Sequence, residues 1–381
     1  MNGIIKKPDI ENFMRSNLLN IIIVFLCLLF IYYIILKIQK RRRNCKIIEK
    51  ERKQNYNSDF DEFYSYGELI NSDYFKDNAT NNEYKLKDFY FKTAHNCFCS
   101  GNYKNDYVNE CALLNCASYG VRALDMEIYS KNNKPIIAAS SVKSNFYKET
   151  YNHISLENGI SEIKKIFIDG NAGNQSELKD HPLFLNLRIH YGNKDKNKID
   201  GNGKKIIFYN KIYEILTSYF DVDSLNQTKM RLKYPSKNEI NRTDLISNLN
   251  MKDLSNTIFI FVTLNDEPNT TTLEESNLIK ITDLYNLNNY RYDQFRDGNN
   301  AFLSVLNNDN LTICLPSYNV NSKNEDFLNP MSYGIQFVGM NYQTNDNMLY
   351  LYNSFFLKQH NIDSGNKKNT PYIKKPDHMT I

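Results

Sequence analysis

GVRALDMEIY, residues 120–129, alternates by two and so reads as a β-strand that sets Asp125 and Glu127 on one face with Val121 and Ala123. Two carboxylates side by side on an inner face repel unless a cation lies between them. A hard divalent ion with oxygen ligands, Ca²⁺ or Mg²⁺, is the natural partner. Just upstream, FYFKTAHNCF (89–98) brings His95 and Asn96 together at the end of another strand. That pair supplies an imidazole for proton transfer and an amide oxygen able to ligate the same ion. A purely structural histidine satisfies the same pattern.

Outward from this strand, strand-like and helix-like segments alternate. PIIAAS (135–140) is short and apolar, SLENGISEIKKIF (155–167) has helical spacing through Leu156, Ile160, Ile163 and Ile166, and FLNLRIHY (184–191) is again a strand. KIIFYNKIYEILTSYF (205–220) is again a helix, and NTIFIFVTL (256–264), LTICLP (311–316) and FVGMNYQT (337–344) are the later strands. The alternation predicts an α/β fold, a parallel sheet with crossover helices. Between strand and helix lies YGNKDKNKIDGNGKK (191–205), glycine-punctuated and carrying Lys194, Lys196, Lys198, Lys204 and Lys205. After a strand of a parallel barrel such a loop lies on the catalytic face, where Lys204 and Lys205 could bind substrate phosphate. A solvated insertion explains it equally.

The 381 residues are 41% hydrophobic and 24% charged, a globular composition that excludes a wholly disordered chain or a polytopic membrane protein. Net charge is only +4, too balanced for a nucleic-acid binder that works by bulk electrostatics. Residues 18–36, LLNIIIVFLCLLFIYYIIL, form a 19-residue apolar stretch. At about 1.5 Å per residue it just crosses a hydrocarbon core of roughly 30 Å. A cleaved signal peptide would have a shorter apolar core and a small-residue cleavage site, so the stretch reads as a retained single-pass anchor. Lys37, Lys40, Arg41, Arg42, Arg43 and Lys46 follow it, against Lys6, Lys7 and Arg15 before it, which orients the soluble part to the cytosol. Residues 1–17 are then a tail and 37–84 a basic and polar tether. Seven cysteines, an odd number on a cytosolic chain, argue against a disulfide framework.

TAHNCF (93–98), GVRALDMEIY with KPII (134–137), YNHISLENGISEI (151–163) and HPLFLNLRIHYG (181–192) resemble the eukaryotic-type phosphoinositide-specific phospholipase C family in its first catalytic half. LKYPSKNEI (232–240), NPMSYGIQFVGMNYQT (329–344) and SGNKKNTPYIKKP (364–376) continue the resemblance through its second half. The resemblance implies a distorted TIM barrel built from an X-like half, 85–220, and a Y-like half, 221–376. It also implies a Ca²⁺-dependent phosphoric diester hydrolase that cleaves membrane phosphoinositides to diacylglycerol and inositol phosphate. In that reaction the inositol 2-hydroxyl attacks phosphorus, calcium stabilises the charge and two histidines move protons. Carried over by position, His95 is the first catalytic histidine, and Asn96, Asp125 and Glu127 are metal ligands.

The departures are chemical. Where the family has its second histidine this chain has Ala138, Ala139 and Ser140, with Ala139 nearest the place, and the next histidine is His153. The remaining acidic ligand falls in FLNLRIHY, where Asn186, Arg188 and His190 share the inward face and Arg188 takes the acid's place. Ile313 and Leu315 stand where the substrate-binding arginine and tyrosine are expected. Arg188 either pairs with Asp125 and Glu127 as an internal counterion, or points away and leaves His153 or His190 to serve with His95. The first alternative makes a catalytically degenerate, lipid-binding or structural module; the second leaves an active hydrolase.

Overall fold

A computed structural model of the chain describes residues 7–55, 63–71, 84–143, 147–170, 177–191, 201–220, 243–264, 271–285, 287–295, 301–358 and 368–376. The chain divides into two compact units, Met1–Ile47 and Ile48–Ile381. Helix α1 (Lys7–Asn55) contains the one helix among the described residues that is long and apolar enough to cross a membrane, Asn17–Lys50. It runs on through the basic residues, so helix replaces part of the expected tail and tether. Nothing in Lys37–Lys50 breaks a helix: the stretch has neither glycine nor proline.

In the second unit the strands β1 (Phe89–Ala94), β2 (Ala123–Lys131), β5 (Leu183–His190), β6 (Ile258–Leu264), β9 (Thr312–Leu315) and β10 (Phe337–Met340) are mutually parallel, in the order β6-β5-β2-β1-β10-β9. At one end β6 pairs with β7 (Leu284–Tyr285), and at the other β9 pairs with β8 (Asn288–Arg291), both parallel. Only two residues separate β7 from β8, so one bent stretch of chain carries both ends of the sheet order and curls the sheet into a distorted TIM barrel. The X-like and Y-like stretches contribute to this one sheet. Helices α3 (Glu110–Ser118), α4 (Leu156–Ile163), α5 (Gly201–Tyr219), α6 (Ala301–Asp309) and α7 (Asn347–Lys358) supply the helical layer. Residues 192–200 and 232–240 lie outside the described residues.

Two expected elements differ. The PIIAAS stretch is not another parallel strand: β3 (Lys134–Ala138) folds back antiparallel on β2, then pairs with β4 (Ile154–Ser155). Asn132 and Asn133 both take positive φ, 52° and 57°, the left-handed conformation of a two-residue hairpin turn. The helix expected from Lys205 already begins at Gly201, so Lys204 is helical rather than in the loop. Cys97, Cys99, Cys116 and Cys314 are buried free thiols.

Side-chain alternation fills the barrel interior in layers. Toward the N-terminal ends of the strands lie Phe91, Phe184, Phe259, Phe261 and Phe337. Phe91 stacks on Phe337 at 5.1 Å and Phe184 on Phe259 at 4.9 Å. This aromatic plug leaves the other end of the interior to polar side chains. Part of the expected tether closes the plugged end. Phe63 lies against Gly120, whose φ of 73° and missing Cβ leave room for the ring. Tyr66, on α2 (Tyr66–Asn71), donates its hydroxyl to the Met251 carbonyl. His181 Nε2 lies 2.9 Å from the Tyr64 carbonyl and Nδ1 lies 3.0 Å from the Tyr372 hydroxyl, on β11 (Tyr372–Lys374), so the imidazole joins both chain-terminal segments.

Burial holds the His181 pKa down to about 3. A folded-state pKa below the unfolded value of about 6.5 contributes stability that is full above that value and is lost as pH falls toward the folded pKa. We therefore expect His181 to make the fold less stable by about 1.4 kcal/mol per pH unit below pH ~6.5. Denaturation of His181→Asn and wild type across pH 7 to 4 checks this: the variant's curve is flatter, and parallel curves refute it.

Candidate functional site

The polar end of the barrel begins where β1 stops. His95 continues the β1 ladder through its N–H to the Met340 carbonyl at 2.9 Å, and Asn96 then turns the chain with φ 45°, a conformation asparagine tolerates better than most residues. A Cβ at position 339 would lie 2.9 Å from Leu315 Cδ2 and 3.4 Å from His95 Cβ, so Gly339 gives His95 its room. Parallel pairing of β2 with β5 sets Asp125 opposite Asn186, Glu127 opposite Arg188 and Tyr129 opposite His190.

Arg188 reaches inward between the two acids. Its Nε donates to Asp125 Oδ1 at 2.7 Å and one Nη to Asp125 Oδ2 at 2.8 Å, a two-pronged pair. The other Nη donates to Glu127 Oε1 at 2.9 Å. Asn96 Oδ1 accepts from the guanidinium at 2.9 Å. His95 Nδ1 lies 2.6 Å from Asp125 Oδ2, and Asn186 Nδ2 donates to Asp125 Oδ1 at 2.8 Å. Glu127 Oε2 accepts from the Ser140 amide at 3.0 Å and from the Tyr129 hydroxyl. His190 stacks on Tyr129 at 4.6 Å, its Nε2 3.8 Å from Glu127.

The cluster is sealed: Asp125 is 0% exposed, Arg188 1% and His95 4%. Burial alone would raise the Asp125 carboxyl, yet Arg188 and His95 hold it well below the usual carboxylate range. Burial likewise opposes the Glu127 charge, and Arg188, then His190, outweigh it. Burial disfavours the Arg188 cation, but Asp125 and Glu127 drive its pKa well above the ordinary value. His95 is pushed down to about 4, first by burial, with Arg188 and Arg291 adding to it against the pull of Asp125. Its imidazole is neutral at physiological pH.

These residues do not fit a divalent ion. Both Asp125 oxygens, Glu127 Oε1 and Asn96 Oδ1 are bonded to the guanidinium, and its charge stands where a metal's would. Among the described residues no group of three or more His, Cys, Asp or Glu is arranged to hold a metal. Ala139 is buried at the end of the β3 ribbon, a methyl with no proton to move. His153 is half-buried just before β4. Lys204 is exposed and Lys205 half-buried, outside this sealed cluster.

Three neighbours escaped sequence reasoning. Tyr129 was within reach of it, since alternation from Glu127 sets it on the same face. Arg291 comes from β8, whose NNYR has no strand pattern. It donates to the Pro316 carbonyl at 2.8 Å and stacks on Tyr318, bringing a cation beside the apolar Leu315 with which it pairs. Tyr103 sits in an irregular loop and covers the His95 ring at 5.5 Å.

No family model matches the chain, and no curated protein matches it. Among solved structures, S. officinalis PLC21 is similar over 83% of this chain and 40% of its own, at 14% identity and TM-score 0.55. L. pealei PLC21 is similar over 78% of this chain and 38% of its own, at 14% identity and TM-score 0.54. The chain has a phospholipase C-type barrel. It spans about two fifths of the length of the PLC21 chains, and at this identity the likeness is one of fold. A calcium-dependent phosphoinositol-specific phospholipase C from Pseudomonas sp is more distant, at 11% identity and TM-score 0.42 over 71% of this chain and 94% of its own.

Removing one partner of a buried ion cluster strands the other charges, at about 3–5 kcal/mol. Arg188→Met is expected to destabilise the fold by that amount, and Arg188→Lys by nearly as much, because an ammonium cannot bond both acids in fork geometry. Chemical denaturation of the two variants measures it; a cost under about 1 kcal/mol, the range of exposed pairs, would show that the cluster is not as tight as described.

Proposed function

We propose that this chain is a membrane-anchored phospholipase C-like barrel that no longer hydrolyses phosphodiesters and acts as a lipid-binding module. The observation that carries this reading is the Arg188 guanidinium bonded to Asp125, Glu127 and Asn96, which leaves those oxygens no room for calcium. Proton transfer fares no better. His95 is neutral and buried, its Nδ1 is engaged by Asp125, and alanine stands near the place of the second histidine. General acid–base assistance is worth roughly 10²- to 10⁴-fold and a metal's charge stabilisation several kcal/mol more. Without both, little turnover remains.

The lipid-binding role draws on the rim. Loop segments 96–109, 139–143, 147–153 and 316–327 are joined by bonds from Asn105 N–H to the Glu149 carbonyl, Tyr151 N–H to the Asp106 carbonyl and Ser322 N–H to Asn102 Oδ1. They expose Val142, Tyr147, Tyr151, Tyr318 and Val320 together with Lys104, Lys143 and Lys323. Apolar and aromatic side chains mixed with lysines suit an anionic bilayer surface, phosphoinositides included. The apolar stretch of α1 serves as the anchor. The basic run after it supports a cytosolic barrel.

Full-length protein reconstituted with phosphatidylinositol 4,5-bisphosphate is expected to release no inositol phosphate in calcium beyond an EDTA control. Its melting temperature should be indifferent to calcium, where a site occupied at a hundredfold excess over Kd would stabilise by about 2.7 kcal/mol. Release that His95→Ala abolishes would instead establish the active hydrolase. The rim is tested separately. The chain has no tryptophan, so Tyr147→Trp is a single reporter. Its emission in proteoliposomes should be quenched by brominated anionic lipid, and unquenched emission would remove the lipid-surface role.

A further inference from the structure

We propose that Tyr103 is a built-in stopper that closes the polar end of the barrel over His95, independently of the charge cluster beneath. Tyr103 is 2% exposed although it lies on a loop, between Cys99 and Val108, which form an isolated bridge. Its ring stands edge-on to the His95 imidazole at 5.5 Å, and its hydroxyl donates to Asn341 Oδ1. With Nδ1 turned to Asp125, the face that a solute could approach is the Nε2 side, and that nitrogen's near neighbour is Asn96 Nδ2 at 3.4 Å.

The loop is pinned from both flanks. Asp106 Oδ2 accepts from the Asn102 amide at 3.2 Å, and Asn102 Oδ1 accepts from the Ser322 amide at 3.4 Å. Asn341, which holds the tyrosine, is itself fixed: its N–H donates to Asn324 Oδ1 at 2.6 Å and its Nδ2 to the Lys323 carbonyl at 3.3 Å. Asn324 in turn donates to Asp346 Oδ1 at 3.1 Å. Three segments, 99–108, 322–324 and 341–346, thus converge on one phenol. A buried side-chain network that is satisfied at each of these joints holds a single arrangement.

The stopper explains an exposure that the ion cluster does not. Arg188 fills the interior from below, but only a group above it can keep water and solutes from His95. Opening the stopper exposes His95 while leaving Arg188 between the acids, so access and activity are separable.

Site-resolved modification by diethyl pyrocarbonate tests this on full-length protein, since the reagent acylates neutral imidazole nitrogen. In wild type, His95 should react at least tenfold more slowly than the half-buried His153. Tyr103→Ala should bring His95 to within a few-fold of His153, and Asn341→Ala, which removes the hydroxyl's acceptor but keeps the ring, should raise the His95 rate by less. Tyr103→Phe keeps the ring but loses the same hydrogen bond, so it should raise the His95 rate no more than Asn341→Ala does. Unfolding of Tyr103→Ala would show as simultaneous modification of His181 at the opposite end of the barrel, and the comparison then rests on Asn341→Ala. Fast His95 modification in wild type overturns the proposal, as does a slow rate that Tyr103→Ala leaves unchanged with His181 still protected and Asn341→Ala without effect. Failure of the silent-barrel reading has a different signature, inositol phosphate release, and does not depend on any of these rates.

Discussion

The structure turns on one guanidinium held between two carboxylates in a dry interior. Asp125 and Glu127 cannot both be ionised and buried at adjacent inward positions of a strand without a cation between them, and Arg188, from the neighbouring strand, is that cation. The desolvation of three charges is offset only because nearly every polar atom finds a partner: the fork on Asp125, the bond to Glu127, and the second set of donors from His95, Asn186, Ser140 and Tyr129. An arginine differs from a metal ion in being covalently part of the chain. It neither dissociates nor offers an open coordination position to a substrate oxygen.

The layers around this cluster follow from it. Below, phenylalanines from β1, β5, β6 and β10 fill the interior without asking for hydrogen bonds, so the polar groups are concentrated at the other end. The short connection from β7 to β8 and the antiparallel β3–β4 ribbon make the barrel irregular on either side of the cluster. The loops beyond the strand ends carry the exposed apolar and basic residues. The interior is thereby sealed beneath loops that carry exposed apolar and basic side chains.

Much of this was legible in the sequence. Period-two alternation alone puts Asp125 and Glu127 on one face and Asn186, Arg188 and His190 on another, and the register of β2 with β5 then decides that Arg188 meets the acids rather than pointing away. The sequence also set His95 and Asn96 together at the end of a strand, which is where they stand after β1. What escaped it depends on contacts between distant segments. The hairpin at Asn132–Asn133 was written in two asparagines but masked by the apolar run after it. Phe63 and Tyr66 look like tether residues until the groove beside Gly120 exists. Arg291 and Tyr103 come from stretches without periodicity, and only tertiary structure says which way such side chains point. Lys204 follows glycines that read as loop, whereas the helix begins at Gly201 and absorbs it.

The bent stretch Leu284–Arg291 has a cost for variation that the other strands do not share. The parallel strands β1, β5, β6, β9 and β10 can drift in length through the helix-bearing connections that follow them. Here two pairings, Phe261 with Leu284 and Leu315 with Arg291, are locked to each other through a two-residue joint. One residue gained or lost in that joint would swap inside for outside along β8 and turn Asn289 and Arg291 toward the helical layer. This seam is where the barrel tolerates the least rewriting of its length.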